Sequence, residues 1–234
     1  LPSEPLYGLL DGFKTDAKFS QSSSSSSSSS PAGDTKVPAT FPIATQADLH
    51  TYGSQVAGTV GKLCLALIAH HHVYNTSSSN TTTNNAKQQL KNMTSAQLEK
   101  VTAAANEMGI ALQYVNIARD IAVDAVLGRV YIPTAWLDEV GLTPEMHQPQ
   151  HQQKTLLALP TLRRRLLRTA LDMYAHARPT MALLPREARR PMVVAVESYM
   201  EIARVLLEKS DDTGKPRRAT VPTGRRLRVA LMAL

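Results

Sequence analysis

Four polar side chains follow one another at three- and four-residue steps along an otherwise apolar segment: Gln113, Asn116, Asp120 and Asp124. Because an α-helix turns by about 100° per residue, a helix through this segment places all four on one face over about three turns. Two carboxylates one turn apart repel each other unless a cation compensates them. Carboxylate and amide oxygens are the ligands that magnesium prefers, and open coordination positions suit phosphate oxygens. These four residues, named here the polar stripe, therefore predict a site for Mg²⁺ and a phosphorylated ligand.

Ordinary ion pairs are the alternative interpretation of the two carboxylates in the polar stripe. Asp120 and Asp124 could pair with Arg119, with Arg129 or with the arginines near the C-terminus. Arg119 lies about 100° round the helix from the stripe, where it could contact phosphate oxygens or a neighbouring helix. The spacing alone is compatible with metal binding and with ion pairs, so both interpretations stay open at this point.

The elements that must position the polar stripe are predicted to be helices. Apolar residues recur at three- and four-residue steps in several segments, and no segment shows the alternation of a half-buried strand. The fold class is therefore all-α. Thr94 or Ser95 is expected to cap the third helix, and Pro185 with Pro191 to separate the last two. The predicted helices span residues 1–19, 46–74, 96–126, 156–184 and 187–208.

Two segments are too poor in apolar residues to add much to a core. Residues 20–45 contain nine consecutive serines followed by prolines, and residues 75–95 are rich in Asn, Ser and Thr. We expect both segments to be disordered low-complexity inserts. In the second predicted helix, Gly58 and Gly61 indicate a place where another backbone or a ligand comes close. Cys64 follows in an apolar run and is expected to be buried and inert.

The net charge of +7 is unevenly distributed along the chain. Acidic residues concentrate in residues 1–153, whereas the last third is strongly basic. A basic lobe suits an anionic ligand, an anionic membrane surface or a nucleic acid. We expect no nucleic-acid partner, because no recognition motif is present and aromatic residues make up only 5%. One cysteine allows no disulfide framework, and no segment has the roughly 18–20 continuous apolar residues of a membrane span.

A resemblance to a known family becomes visible around the polar stripe. The segment Gln113–Asp124, with the pattern Q-x-x-N-x-x-R-D-x-x-x-D, and the following Gly128–Pro133 closely resemble the second aspartate-rich motif of squalene and phytoene synthases. Together with four other segments that are similar to the family in the same order, the resemblance covers nearly all of the chain outside the inserts. Those segments are Leu9–Asp16, Tyr52–Gly61, Tyr174–Pro185 with Tyr199-x-x-Ile202, and Arg218–Pro222.

The resemblance implies an isoprenoid synthase helical fold and the head-to-head condensation of two prenyl diphosphates. It also implies a divalent cofactor, Mg²⁺ with Mn²⁺ as the alternative ion, held by two aspartate-rich helices. On this basis Asn116, Asp120 and Asp124 would ligate the metal as the catalytic residues. Gln113 would donate or accept a hydrogen bond near the reacting end of the substrate.

Further substrate contacts are carried over from the family to matching positions. Arg119, Tyr199 and Arg218 match positions that contact diphosphate, and Arg129 is a weaker candidate for the same role. For Tyr199, the alternative is a core tyrosine whose hydroxyl has a partner. Small residues in the second predicted helix would let the prenyl chain approach that helix. For the two glycines among them, close packing between helices is the alternative interpretation. These small residues are Ala57, Gly58 and Gly61.

Details of the motifs favour the phytoene synthase branch of the family, which acts on geranylgeranyl diphosphate. This preference is based on the segments Val56–Gly61 and Arg129–Pro133. A squalene or dehydrosqualene synthase acting on farnesyl diphosphate is the alternative. The inserts resemble those of filamentous fungi, in which the synthase is linked to a membrane-embedded lycopene cyclase domain. We therefore expect a membrane surface or a covalently linked cyclase domain as partner, and a membrane-associated location on the cytoplasmic face.

Two departures from the family pattern affect the expected activity. The family usually has an acidic residue where this chain has Val123. The first aspartate-rich motif is missing, which makes residues 1–234 the C-terminal two thirds of one synthase domain. We expect the chain by itself to be inactive for this reason. A catalytically dead homologue is the other interpretation, and the intact Asn116, Asp120 and Asp124 argue against it.

Overall fold

A computed structural model describes residues 2–24, 41–74, 81–144, 152–208 and 221–233. Within these ranges the chain forms helices joined by turns and contains no strand, which confirms the predicted all-α class. In the same ranges, no helix combines the length and the apolar character needed to cross a membrane. The helices are α1 (Glu4–Ser24), α2 (Gln46–Gly53), a π-helical turn (Ser54–Gly58), α3 (Thr59–Tyr74), α4 (Thr81–Lys91), α5 (Ser95–Val126), α6 (Thr134–Glu139), α7 (Gln152–Ala177), a 3₁₀ turn (Arg178–Leu183), α8 (Arg186–Glu208) and α9 (Thr223–Ala233).

Helix α5 lies at the centre of the molecule and carries the polar stripe. It begins where the sequence predicted, because the Thr94 side chain accepts from the Gln97 backbone N–H while the Gln97 side chain accepts from the Thr94 N–H. It ends before Gly128, whose φ of 74° lies in the left-handed region that favours glycine. Helices α3, α7 and α8 and both short helical turns pack against it. Several of its apolar side chains, among them Ile110 and Val115, are completely buried.

Glycines allow the π-helical turn and α3 to lie directly against α5. A Cβ atom on Gly61 would lie 2.2 Å from the backbone oxygen of Ala105, and one on Gly109 would lie 2.2 Å from that of Ala57. The Thr59 N–H donates to the Ser54 carbonyl, the five-residue step of a π-helix. Such turns are frequent at functional sites, and this one lies beside the polar stripe. The backbone contacts explain why glycine is required on both helices.

The structure differs from the sequence-based predictions in the two inserts. Helix α1 continues to Ser24 and so extends into the first insert. Gly12 lies inside this helix and permits close packing, because a Cβ at Gly12 would lie 2.4 Å from Val56 Cγ1. Residues 81–91 form α4 rather than a disordered insert, since Ala86 is buried and α4 packs against α3. Residues 25–40 and 75–80 of the inserts lie outside the described residues.

Pro191 was expected to help separate the last two helices and instead lies inside one of them. Pro160 lies within α7 and Pro191 within α8, and both helices continue through the proline. Pro185 directly precedes α8, as predicted, and its carbonyl accepts from the Arg189 N–H at 2.8 Å. The join between α7 and α8 is therefore longer than the predicted two residues 185–186, and it consists of the 3₁₀ turn with the two residues that follow it.

A cluster of arginines and glutamates, named here the ion cluster, fixes α8 to its neighbours. Glu197 accepts from Arg178 Nε at 2.8 Å, from Arg204 Nη2 at 3.0 Å and from the Tyr174 hydroxyl. Burial raises the pKa of Glu197, but hydrogen bonds from Tyr174, Arg204 and Arg178 outweigh burial and hold it below its ordinary value. The carboxylate is therefore a charged structural group that joins α7, the 3₁₀ turn and α8.

The same cluster fixes α9 to α8. Arg225 Nε donates to Glu201 Oε1 at 2.6 Å, and the Arg225 guanidinium also pairs with Glu208. Glu201 accepts in addition from Arg204 Nη1 at 3.0 Å. These groups border a polar cavity of about 690 Å³. Three arginines of the basic last third, Arg178, Arg204 and Arg225, are thus compensated by glutamates within the chain.

Replacing Gly109 by Ala tests the close approach of the two backbones. Because the added Cβ would meet the Ala57 carbonyl rather than a movable side chain, we expect Gly109→Ala to lower the free energy of unfolding by about 1–3 kcal/mol. Gly224→Ala is the control, since no atom lies within 4 Å of its Cβ position, and α9 should be unchanged or slightly stabilised. Urea unfolding measures both, and equal stability of the two variants would contradict the packing described.

Replacing Glu197 by Gln tests the ion cluster through its pH dependence. Because the folded-state pKa of Glu197 is lowered, its contribution to stability is present above its unfolded pKa, near 4.3, and is lost as the pH falls through the lower folded-state pKa. We expect Glu197→Gln to lower the free energy of unfolding at pH 7 by about 1–3 kcal/mol. The variant should then lose less further stability than the unmodified chain on acidification. Glu99→Gln, at an exposed position on α5, is the control; parallel acid profiles for Glu197→Gln and the unmodified chain would exclude this role.

Candidate active site

The polar stripe lies inside the molecule and not on a face open to bulk water. Asp120 is only 8% exposed, and Gln113, Asn116 and Asp124 are partly buried. The Asn116 amide nitrogen lies 3.4 Å from Gln113 Oε1, and the Tyr199 hydroxyl of α8 donates to Asn116 Oδ1. The structure therefore brings Tyr199 to the stripe, as the resemblance implied, and gives its hydroxyl a partner as well.

Arg119 forms an ion pair with the neighbouring carboxylate of the stripe. Its Nε donates to Asp120 Oδ1 at 3.0 Å and its Nη2 to Asp120 Oδ2 at 2.7 Å. The hydrogen bond to Asp120 is the largest cause that raises the pKa of Arg119. The ion-pair interpretation therefore holds for Asp120 in this structure. Metal binding is still compatible with it, because a carboxylate has about four acceptor positions and this pair uses two of them.

Two further arginines, Arg129 and Arg218, were predicted to contact diphosphate, and the structure describes only the first of them. Arg129 is exposed, and its backbone N–H donates to the Asp124 carbonyl at 2.8 Å. Arg129 and Asp124 line the same narrow cleft at the C-terminal end of α5. Arg218 lies outside the described residues. Arg129 is thus placed at the Asp124 end of the stripe, and Arg119 at its centre.

A cluster of two phenols and a carboxylate lies beside the stripe, and the sequence did not single it out as a site. The hydroxyls of Tyr52 and Tyr131 both donate to Asp16 Oδ1, at 2.8 and 3.1 Å. The two rings stack with centroids 5.2 Å apart. Burial, the largest cause, and the charges of Asp16 and Asp124 together raise the pKa of Tyr131 to about 12. The phenols therefore remain neutral donors at physiological pH, next to the Asp124 end of the stripe.

An apolar cavity of about 480 Å³ begins at the polar stripe. Gln113 and Asn116 line one end of it, and most of its surface is apolar. It runs between α3 on one side and the 3₁₀ turn with α8 on the other, with α5 as its base. A charged head group at the stripe and an apolar tail in the cavity would both find matching surroundings.

The small residues of the second predicted helix have different positions around this cavity. Ala57 and Gly61 line it, and their contact with a prenyl chain stays a prediction. A Cβ on Gly58 would lie 2.2 Å from Asn106 Oδ1, so close helix packing accounts for this glycine. Cys64 was expected to be buried, and this prediction is wrong: its side chain is exposed at the cavity, because α3 turns this position away from the core.

The donor set of the stripe fits a hard divalent cation. Asn116, Asp120 and Asp124 provide two carboxylates and an amide from one helix, and such oxygen ligands suit Mg²⁺. Among the described residues, no group of three or more His, Cys, Asp or Glu side chains is arranged to hold a metal ion by itself. An ion bound by the stripe would therefore keep coordination positions for water and for phosphate oxygens, as magnesium usually does.

Comparisons with known proteins show the family to which this chain belongs. Residues 1–225 match the family described as squalene/phytoene synthase. The chain is 45% identical over 235 residues to a bifunctional lycopene cyclase/phytoene synthase of Podospora anserina, with all of this chain and 34% of that protein covered. It is 44% identical over 239 residues to the protein of the same description in Neurospora crassa, of which it covers 35%. The chain thus spans about a third of the length of these relatives.

Two solved structures share the fold. A squalene synthase, HpnC from Alicyclobacillus acidocaldarius, matches with a TM-score of 0.58 and 18% identity, over 88% of this chain and 59% of that one. A dehydrosqualene synthase in complex with a ligand matches with a TM-score of 0.61 and 19% identity, over 100% of this chain and 64% of that one. At this identity the likeness shows the fold alone, which is the all-α isoprenoid synthase fold expected from the sequence.

Proposed function

Because this chain belongs to the squalene/phytoene synthase family, we propose that it is part of an enzyme that joins two geranylgeranyl diphosphates head to head. The product would be 15-cis-phytoene, in carotenoid biosynthesis. The observation that supports this proposal is the continuity of the polar stripe with the apolar cavity: Gln113 and Asn116 line the cavity and belong to the stripe. A prenyl diphosphate has the same two parts in the same order.

The stripe binds and orients the diphosphate. Asn116, Asp120 and Asp124 would hold Mg²⁺, which supplies positive charge that stabilises the diphosphate as it leaves. Arg119 adds a guanidinium at the centre of the stripe, and its planar group suits phosphate oxygens. The Tyr199 hydroxyl holds the Asn116 side chain in place from α8. The side chains that would receive the head group are thus already held by partners before a substrate arrives.

The cavity binds the prenyl chain and excludes water from the reacting carbon. Burial of apolar surface contributes about 25 cal/mol per Å², so a long prenyl chain supplies much of the binding energy. Water would capture an allylic cation, and apolar walls leave the double bond of the second substrate as the available nucleophile. The Gln113 amide lies where the apolar wall meets the stripe and can orient the first carbons of the chain.

A linked cyclase domain and a membrane location are part of the proposal. Both relatives described above are bifunctional lycopene cyclase/phytoene synthases, and the chain matches only about a third of each. We propose that this chain acts beside a lycopene cyclase domain of the same protein, at the cytoplasmic face of a membrane. The excess of basic residues in its last third supports contact with anionic lipid headgroups.

A squalene or dehydrosqualene synthase acting on farnesyl diphosphate is the second candidate. The two structures that share the fold are enzymes of these types. The same stripe and cavity would serve a shorter prenyl chain. Product analysis with fifteen- and twenty-carbon diphosphates distinguishes the two candidates, because each gives a hydrocarbon of a different length.

Replacing the stripe carboxylates tests the proposed function in the protein extended upstream to the length of its relatives. Because Asp120 and Asp124 would hold the cation that stabilises the leaving diphosphate, we expect Asp120→Asn and Asp124→Asn each to lower kcat by about 10²-fold or more. The measurement is phytoene formation from geranylgeranyl diphosphate with Mg²⁺.

Asp138→Asn, at an exposed position on α6, is the matched control and should retain full turnover. The chain of residues 1–234 by itself is a second control and should give no product. Unchanged turnover in both stripe variants would exclude the proposed role of the stripe, and turnover by residues 1–234 alone would show that no further aspartate-rich helix is needed.

A further inference from the structure

Helix α9 is fixed to α8 along one side. Arg225 Nη2 lies 2.5 Å from Glu201 Oε1 and 3.0 Å from Glu208 Oε1. One turn further along α9, Val229 is partly buried and borders the same polar cavity. Because residues four positions apart lie on the same face of a helix, Arg225 and Val229 define the face of α9 that packs against α8. The rotation of α9 about its own axis is fixed by these contacts.

The opposite side of α9 presents two leucines to solvent. Leu227 is 61% exposed and Leu231 is 74% exposed. At about 100° per residue, the two leucines are centred about 160° round the helix from the face that packs against α8. Arg226 and Arg228 are exposed and lie on opposite flanks of the leucines. These four residues, named here the outer face, therefore form an apolar ridge with an arginine on each side.

The arginines of the outer face keep their charge for an external partner. Arg225 has carboxylate partners, but neither Arg226 nor Arg228 forms an ion pair with a residue that the structure describes. The sequence of α9 contains no Asp or Glu. Apolar side chains between arginines suit the boundary of a bilayer, because the apolar groups insert while the guanidinium groups reach back to the headgroup phosphates.

We infer that the outer face binds the surface of an anionic bilayer, with the two leucines inserted and the two arginines at the headgroups. The inference rests on the proposed membrane location and gives that location a specific contact surface. It is independent of the proposed chemistry at the polar stripe.

The other basic run of the last third is partly used within the molecule. Four arginines occur in residues 163–168 of α7. Arg163 Nε donates to the Ala118 carbonyl at 2.8 Å. Arg165 pairs with Glu139 at 2.6 Å and lies over the Trp136 ring. Two of the four arginines are therefore held by the protein itself, which favours α9 over α7 as the contact with lipid.

Helix α1 has an exposed apolar face as well, but its charges do not suit anionic lipid. Its exposed large apolar side chains are Leu6, Tyr7, Leu10 and Phe13. Glu4 and Asp11 are exposed on the same helix, and an anionic surface repels them. The Lys14 ammonium is paired with Asp11 at 2.7 Å. Charge complementarity therefore assigns the anionic bilayer to α9 and not to α1.

Sedimentation with lipid vesicles tests the inference. The probes are vesicles of phosphatidylcholine alone and of phosphatidylcholine with about 30% phosphatidylserine, mixed with residues 1–234. Each arginine near an anionic surface contributes about fivefold to the binding constant, so the anionic vesicles should bind about tenfold or more tightly than the neutral ones. Raising NaCl to about 0.5 M should remove most of this difference, because salt screens the charges.

Two double variants remove the two properties of the outer face separately. Arg226→Gln with Arg228→Gln should weaken binding to anionic vesicles about tenfold or more. Leu227→Gln with Leu231→Gln should weaken it about tenfold although the net charge is unchanged. All four side chains are exposed and glutamine has a similar helix propensity, so the fold should be retained. If circular dichroism shows that one double variant loses helix, the other carries the test.

Two further double variants are matched controls. Arg164→Gln with Arg168→Gln removes the same charge from exposed positions of α7, and Leu10→Gln with Phe13→Gln removes exposed apolar surface from α1. Helix α1 packs against α3 and the π-helical turn, and α7 packs chiefly against α5. Because a bilayer bound through α9 needs neither pair, both controls should bind anionic vesicles within about twofold of the unmodified chain.

The outcomes separate the contact surface from the proposed membrane location. Undiminished binding in both α9 variants, or a loss confined to the α1 or α7 control, would overturn the assignment to the outer face while leaving membrane contact in place. A loss in the arginine variant alone would exclude insertion of the leucines. If the unmodified chain binds neither kind of vesicle, the proposed contact with lipid fails and the inference fails with it. Phytoene formation by the extended protein is measured separately and does not depend on any of these results.

Discussion

The structure depends on one constraint: helix α5 is surrounded by other elements, and it still carries the two carboxylates Asp120 and Asp124. A buried charge is costly unless hydrogen bonds or an opposite charge compensate it. Asp120 is 8% exposed and has the Arg119 guanidinium beside it at 2.7 Å. Asn116 is held by the Tyr199 hydroxyl and lies 3.4 Å from Gln113 Oε1. The rest of the molecule packs round α5 so that Gln113 and Asn116 face the apolar cavity and Asp124 faces a narrow cleft.

The second requirement is that the polar and apolar parts of the site share one helix. Towards its C-terminus α5 presents amides and carboxylates, and towards its N-terminus it presents small residues. Gly109 lets the Ala57 carbonyl come close, and Ala105 receives Gly61 in the same way. A substrate with a charged head and a long apolar tail can therefore lie along a single rigid element.

Local patterns predicted more of this site than long-range contacts did. The spacing of the stripe, the Thr94 cap and the limits of α5 follow from interactions within a few residues, and the structure confirms them. The Asp16–Tyr52–Tyr131 cluster joins residues 36 and 115 positions apart, so no local pattern could reveal it. The exposure of Cys64 and the burial of Ala86 also depend on which neighbours pack against each helix. For the same reason, glycine spacing alone could not show that Gly61 lines the cavity as well as packing against α5, whereas Gly58 only packs against it.

The most direct measurement of the central claim is the binding of Mn²⁺, a paramagnetic substitute for Mg²⁺, to residues 1–234 with inorganic pyrophosphate present, followed by electron paramagnetic resonance. The account predicts that the chain binds the ion together with pyrophosphate. The double variant Asp120→Asn with Asp124→Asn should bind it at least about tenfold more weakly, since oxygen ligands with full charge are lost. Equal Mn²⁺ affinity in the unmodified chain and the double variant would contradict the claim that the polar stripe holds a divalent ion.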